Sequence, residues 1–314
     1  MICEILSASL PDVMEYFSSV LKIKKSFSGN SIETCAIVNA KSGKCFSDCK
    51  FCAQSKYSKA KIDIYPLLDI GKLLSIAKES FNKGIDRFSF VCSGVALSNS
   101  EIKYLGKVVE TLKAGNSELR VCVSLGQIKK EELLFLKACG VDRYHHNLET
   151  SREFYPFISS VQAWEDRFRT VAIAKEIGLS VCSGGIFGLG ESDEDIVSLF
   201  SSLKELEVDS VPLNFFHPVK GIPLEKQNFL TPLRSLQIVF AARAFFNKTV
   251  IRICGGREYN LRELQPFAVS VVDGLMVGNY LTTKGRTLMT DLELLKDLAF
   301  DNSLNLLDCS ENAL

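Results

Sequence analysis

Cys45, Cys49 and Cys52 stand in the run Lys44-Cys-Phe-Ser-Asp-Cys-Lys-Phe-Cys-Ala53, a C-x3-C-x2-C cluster. Three thiolates this close can hold three irons of a cubane iron–sulfur cluster and leave the fourth iron without a protein ligand. An open iron is where a substrate can coordinate, so the spacing points to chemistry and not merely to electron storage. Zinc is the rival occupant, but a structural zinc site needs a fourth Cys or His at suitable spacing. The three histidines, His145, His146 and His217, all lie far away in sequence, which weakens the zinc reading.

An aromatic residue, Phe51, precedes the last of these cysteines, and the run continues Phe-Cys-Ala-Gln-Ser55. Further along stand Tyr144-His-His-Asn-Leu-Glu-Thr-Ser151, Val181-Cys-Ser-Gly-Gly-Ile186, Val211-Pro-Leu-Asn214 and Gly255-Gly-Arg-Glu258. The three-cysteine motif resembles the signature of the radical S-adenosylmethionine superfamily. The other runs, in order, narrow the resemblance to the biotin synthase family, from about residue 30 to about residue 300.

The resemblance implies a [4Fe–4S] cluster on Cys45, Cys49 and Cys52, with S-adenosylmethionine chelating its open iron. It gives Phe51, Glu149, Arg167, Gly185 and Ile186 as cofactor contacts, Glu149 at the ribose hydroxyls and Arg167 near the carboxylate. A surface ion pair is the competing reading of Arg167. Asn147 and Asn214 become contacts to the substrate, dethiobiotin. His145 stands where the family commonly has Asn, and His146 reads as a hydrogen-bonded structural residue.

The family also implies an auxiliary cluster deep in the fold, [2Fe–2S] or a larger variant, held by strand cysteines and one arginine. Cys122, Cys182 and Arg252 match three of its ligands. At the second strand the family's cysteine is replaced: Ser89 occupies its place, and Cys92 follows three residues later. Serine is a poor iron ligand beside a thiolate. Cys92 and Cys254 are both candidates for the remaining position, Cys254 because period-two alternation points it the same way as Arg252. Cys3, Cys35, Cys139 and Cys309 read as ordinary cysteines.

The elements that must position these groups recur as strand then helix. Short β-rich runs appear near 34–38, 87–92, 119–124, 142–147, 179–186, 209–214, 250–254 and 273–277, with amphipathic stretches between them. Eight such units without a break predict one (β/α)8 TIM-type barrel, preceded by a leading helix near 9–23; a doubly wound open sheet is the alternative. The expected division is a helical segment over 1–30, the barrel over 31–300 and a polar, frayed tail over 301–314. The three-cysteine segment would then follow the first strand, on the face where barrels carry their active sites.

Composition excludes several classes. The 37 basic and 37 acidic residues cancel, so no global field draws nucleic acid or an anionic membrane. Lys22–Lys25 and Lys56–Lys61 read as solvated faces. No apolar run reaches the length of a membrane span, and the start lacks a secretory signal, so a cytosolic protein is expected. In such a chain, 11 cysteines mean metal ligands and buried residues, not a disulfide framework.

The predicted activity is insertion of sulfur between C6 and C9 of dethiobiotin, with no acid–base pair required. A reductant such as flavodoxin or ferredoxin and a homodimer are implied by the family. The alternatives are a related maturase of the hydrogenase-assembly type and a non-catalytic iron–sulfur scaffold or redox sensor.

Overall fold

The computed structural model describes residues 2–302. Nine short strands are all parallel: β1 (Glu33–Lys41), β2 (Arg87–Cys92), β3 (Arg120–Ser124), β4 (Arg143–His145), β5 (Ser180–Cys182), β6 (Gly185–Phe187), β7 (Ser210–Phe215), β8 (Val250–Ile253) and β9 (Gly274–Met276). β5 and β6 are two halves of one stave, both hydrogen-bonded to β7, and β9 pairs back onto β1. The result is a closed eight-stave barrel. The interruption lies at Ser183–Gly184, where β7 presses close: a Cβ on Gly184 would sit 2.1 Å from the Pro212 carbonyl oxygen.

Helices fill the connections, among them Ile70–Asn82, Asn99–Gly115, Trp164–Glu176 and Asp193–Glu205. Their starts are set locally: Asp69, Ser98 and Ser192 each accept a hydrogen bond from a first-turn amide, as N-caps do. Two leading helices, α1 (Ile2–Ser7) and α2 (Leu10–Ser28), stand where one was predicted. Both pack on the helix Pro232–Phe245. That explains why this helix is buried continuously from Ser235 to Arg243 instead of showing one apolar stripe: barrel lies beneath it and helices above. Arg243, the charge in that apolar run, donates to Asp273 at 2.7 Å.

Asp301 is not frayed. Its amide donates to the Asn30 carbonyl, and its own carbonyl accepts from Ile32. The rest of the expected tail, with Cys309, lies outside the described residues. No described helix is long and apolar enough to cross a membrane.

Odd-numbered residues of β1 and β2 face the lumen: Cys35 and Ile37, then Arg87, Ser89 and Val91, all line one cavity of about 400 Å³. The cavity runs from the barrel interior to the loop after β1, so strand alternation and loop placement together build the site.

Candidate active site

At the mouth, the loop after β1 folds back on itself. Cys45 pairs with Gln54 and Lys56 through backbone hydrogen bonds, and the Cys52 amide donates to the Cys49 carbonyl. Cys52 feels both of the others: burial first, then Cys49 and Cys45, push its thiol up to about 12. Among the described residues no three His, Cys, Asp or Glu side chains are gathered tightly enough to enclose a single ion. Three thiolates on one loop match the donor set of a cubane, one per iron, whereas a structural zinc takes a fourth Cys or His.

Arg167 and Glu149 lie beside Cys49, whose thiol is raised by burial and feels both charges. Arg167 is no surface residue. Its guanidinium is buried and held from three sides, donating to the Tyr155 hydroxyl at 2.7 Å, to Gln162 at 2.8 Å and to the Asn147 carbonyl at 3.0 Å. Glu149 approaches it at 3.5 Å. The Glu149 backbone adopts a left-handed conformation, φ 75°, pinned by β6: its amide donates to Gly184 and its carbonyl accepts from Ile186. Gly185 faces this turn, with no room for a side chain. Phe51 and Ile186 line the same cavity.

Asn147 and Asn214 tie strand ends together. Asn147 accepts from the Gly184 amide at 3.1 Å and donates to Glu149 at 3.3 Å. Asn214 donates to the Gly185 carbonyl and accepts from the Gly255 amide, each at 3.2 Å. Both line the cavity between the mouth and the deeper cysteines.

Deeper down, Cys182, Cys254 and Arg252 converge with a residue the sequence reading passed over. Cys35 on β1, which reads as an ordinary cysteine in sequence, joins this group and lies beside the Arg252 guanidinium. Cys254 interacts with both Cys35 and Cys182, and Arg252 with all three. Position on β1 could have revealed it, because Cys35 alternates with Ile37 toward the lumen and β1 neighbours β9 and, beyond it, β8. What sequence could not show is that ring closure brings the first stave beside the last.

Cys122 sits across from this group, 3.6 Å from the Arg87 guanidinium, and interacts with Cys182 and Arg143. Cys92 does not join them. It closes β2 at the edge of the same cavity, beside Lys41 and Glu101, with its thiol raised by burial to about 12. Ser89 lies in register between Ile37 and Cys122 and lines the lumen.

The lumen is built for negative charge. Arg87, Arg143 and Arg252 are all buried around these cysteines, with Glu33 as the carboxylate beneath them. Glu33 also pairs with Arg120, and despite burial its carboxyl is held far below the usual carboxylate range by Arg252 and Arg87. One nitrogen of Arg143, Nη1, is buried without a partner. Burial opposes ionisation of Cys182, but a hydrogen bond from His145, with Arg143 and Arg252 nearby, brings its thiol down to about 7. An orphan donor, a cationic surplus and convergent thiols suit an anionic iron–sulfur cluster. His146 is buried and neutral, its pKa depressed by burial and by Arg167.

Comparison with known proteins agrees with this geometry. Residues 40–203 match the radical SAM superfamily, and residues 212–301 match the biotin and thiamin synthesis associated domain. The biotin synthase of Aquifex aeolicus (strain VF5) is 44% identical over 278 residues, 88% of this chain and 84% of that protein. The biotin synthase of Thermotoga petrophila is 44% identical over 287 residues, 91% of this chain and 95% of that protein. The chain belongs to the biotin synthase family.

Members of this family are radical S-adenosylmethionine enzymes, which sets the three-cysteine loop and the Glu149–Arg167 pair in the context of that chemistry. Solved structures repeat the barrel at lower identity. Methylornithine synthase superposes with a TM-score of 0.82 at 18% identity, covering 96% of this chain and 92% of that one. HydG, a maturase of the [FeFe]-hydrogenase, gives 0.81 at 17%, covering 95% of this chain and 71% of that one. At those identities the likeness is one of fold alone, so it gives the hydrogenase-maturase alternative no support beyond the shared barrel.

Proposed function

We propose that this enzyme inserts sulfur between C6 and C9 of dethiobiotin to form biotin, with S-adenosylmethionine as co-substrate. The observation that carries the reading is one cavity joining two cysteine groups: Cys45, Cys49 and Cys52 at its mouth, and Cys35, Cys122, Cys182 and Cys254 with Arg252 deeper in the lumen. The maturase alternative predicts no essential role for Cys122, Cys182 and Arg252, and a scaffold would store clusters on these cysteines without cleaving S-adenosylmethionine. The first trio is read as holding a [4Fe–4S] cluster, and the second group as holding an auxiliary cluster that lacks the usual second-strand thiolate and draws on Cys35 and Cys254 instead. Cys45, Cys49 and Cys52 would hold a cluster able to supply an electron for reductive cleavage of S-adenosylmethionine, and the deeper cysteines with Arg252 would hold one able to supply sulfur.

The protein's part is to bind, orient and exclude water. Arg167, fixed by Tyr155 and Gln162, presents a preorganised guanidinium for the cofactor carboxylate. Glu149 offers two acceptor oxygens for the ribose hydroxyls, and Gly185, lacking a Cβ, lets the Glu149 turn pack directly against its backbone. Asn147 and Asn214 present amides toward the ureido ring between the two cysteine groups. Arg87, Arg143 and Arg252 offset the charge of deprotonated thiols in the lumen. A cavity of about 400 Å³ is within the range of small-molecule sites.

The test is anaerobic incubation of cluster-reconstituted protein with dithionite, S-adenosylmethionine and dethiobiotin, followed by mass spectrometry. Biotin together with 5′-deoxyadenosine is expected. Deoxyadenosine without biotin, with both clusters verified by iron and sulfide analysis, refutes dethiobiotin as the substrate. Neither product, with the first cluster intact, leaves a scaffold.

A further inference from the structure

Glu258 closes the run Gly255-Gly-Arg-Glu258, yet it does not line the cavity. Nor is it needed to neutralise its neighbour. Arg257 is fully buried, pairs with the equally buried Asp291 at 2.6 Å and donates to Gln265 at 2.7 Å, while Glu258 stays 3.6 Å away. The Glu258 carboxylate is turned instead to the loop after β9. Its Oε1 accepts from the Tyr280 hydroxyl at 2.6 Å and from the Arg286 amide at 3.2 Å.

That loop, residues 277–287, forms one wall of the cavity through Tyr280, Leu281, Thr282 and Thr283. It closes on itself: the Tyr280 amide donates to the Thr283 carbonyl at 3.0 Å, and the Gly285 amide to Asn279 at 3.3 Å. A Cβ on Gly285 would lie 2.0 Å from the Gly278 carbonyl oxygen, so a glycine is what lets the two ends of the loop meet. Two ties hold the closed loop to the barrel. Asn39 of β1 donates to the Leu281 carbonyl at 3.2 Å, and Glu258 takes Tyr280 and Arg286 from opposite sides of the wall. The Tyr280 ring also stands over Gly255, where a Cβ would meet Asn214 Oδ1 at 3.5 Å and the ring at 3.9 Å. The tie through Glu258 therefore bears on the strand end that carries Asn214.

Burial and the Glu258 charge hold the Tyr280 phenol well above its ordinary range against the pull of Arg257, so it remains a donor. A hydrogen bond to an ionised carboxylate is stronger than a neutral one, which makes this the firmer of the two ties. We propose that Glu258 is a positioning residue for the substrate. It touches neither dethiobiotin nor S-adenosylmethionine, and it sets the affinity for dethiobiotin by keeping the Tyr280–Thr283 wall in place beside Asn214. This rests on the reading of dethiobiotin as the occupant of the cavity. With the tie cut, the loop samples open arrangements, and apparent affinity falls in proportion to the fraction of molecules whose wall is in place. The cofactor end, built by Glu149, Arg167 and Gly185 on other staves, keeps its geometry.

The test is equilibrium dialysis of labelled dethiobiotin, with S-adenosylmethionine saturating, against cluster-reconstituted wild type, Glu258→Ala, Glu258→Gln and Tyr280→Phe. Glu258→Ala should bind dethiobiotin at least about tenfold more weakly, and Tyr280→Phe at least about threefold. Glu258→Gln keeps an acceptor oxygen in the same place and should stay within about threefold of wild type. Affinity for S-adenosylmethionine, dialysed separately, should change by less than about twofold in all three. Cleavage by a lysine-specific protease after the exposed Lys284 should quicken in Glu258→Ala, and dethiobiotin should slow it in wild type. Unchanged dethiobiotin affinity in Glu258→Ala overturns the proposal. So does equal weakening of both ligands with a lowered urea midpoint, which would make Glu258 a purely structural residue. Should Glu258→Ala fail to fold, Tyr280→Phe decides alone, and wild-type affinity there overturns the proposal. Wild type that binds S-adenosylmethionine but not dethiobiotin refutes dethiobiotin as the occupant and the proposal with it, a failure visible before any variant is compared.

Discussion

Gly185→Ala is the sharpest probe of how the cofactor end of the cavity is built. A Cβ at this position would lie 2.5 Å from the Glu149 carbonyl oxygen, 3.0 Å from its carbon and 2.7 Å from Leu199 Cδ2. Ordinary contact begins near 3.4 Å, so the Glu149 turn must retreat by about 0.9 Å or the helix Asp193–Glu205 must give way. The turn is the weaker partner, since Glu149 is already held in a left-handed conformation by two hydrogen bonds to the same β5–β6 segment. A shift of about 1 Å in a positioning group costs about a hundredfold in rate, and overpacking costs about 1–3 kcal/mol of stability. The variant should fold, bind iron at the three-cysteine loop as wild type does, and lose about tenfold to a hundredfold in kcat/KM for S-adenosylmethionine. Initial rates of deoxyadenosine formation across cofactor concentrations, with urea unfolding and iron analysis alongside, provide the assay. A folded, iron-loaded variant whose kcat/KM stays within about twofold of wild type would refute the argument that Gly185 keeps Glu149 in place.

Other substitutions separate the two cysteine groups. Cys49→Ala should abolish deoxyadenosine formation and lower the iron count, whereas Cys35→Ala should lower iron and sulfide and stop biotin formation while leaving dithionite-driven cofactor cleavage intact. Cys92→Ala should change neither count, since its thiol lies beside Lys41 and Glu101; loss of auxiliary iron there would return Cys92 to the ligand set. Arg167→Lys forfeits the fork that reaches Tyr155, Gln162 and Asn147 together, and hydrogen bonds from a charged group are worth about 1.5–3 kcal/mol, so KM for S-adenosylmethionine should rise at least about tenfold. Glu33→Gln removes the carboxylate shared by Arg87, Arg120 and Arg252 and should destabilise the cluster-free protein by about 3 kcal/mol in urea unfolding.

The sequence by itself determined the three-cysteine loop and, through its motifs, the family, and it narrowed the fold to a closed barrel or an open doubly wound sheet. A local spacing such as Cys45-x3-Cys49-x2-Cys52 needs no tertiary information, and eight strand–helix alternations leave few architectures. The resemblance implied Cys182 and Arg252 as ligands of one cluster, and two-residue alternation added Cys254 beside Arg252. What it could not supply was adjacency between distant staves. Cys35 and Cys254 are separated by most of the chain and meet only because β9 pairs with both β1 and β8. The same closure buries Arg87 and Arg143 beside Arg252 around one lumen. Cys92 shows the converse: three residues past Ser89 in sequence, it ends β2 at the edge of the cavity, and only the fold brings Lys41 and Glu101, not the other cysteines, beside its thiol.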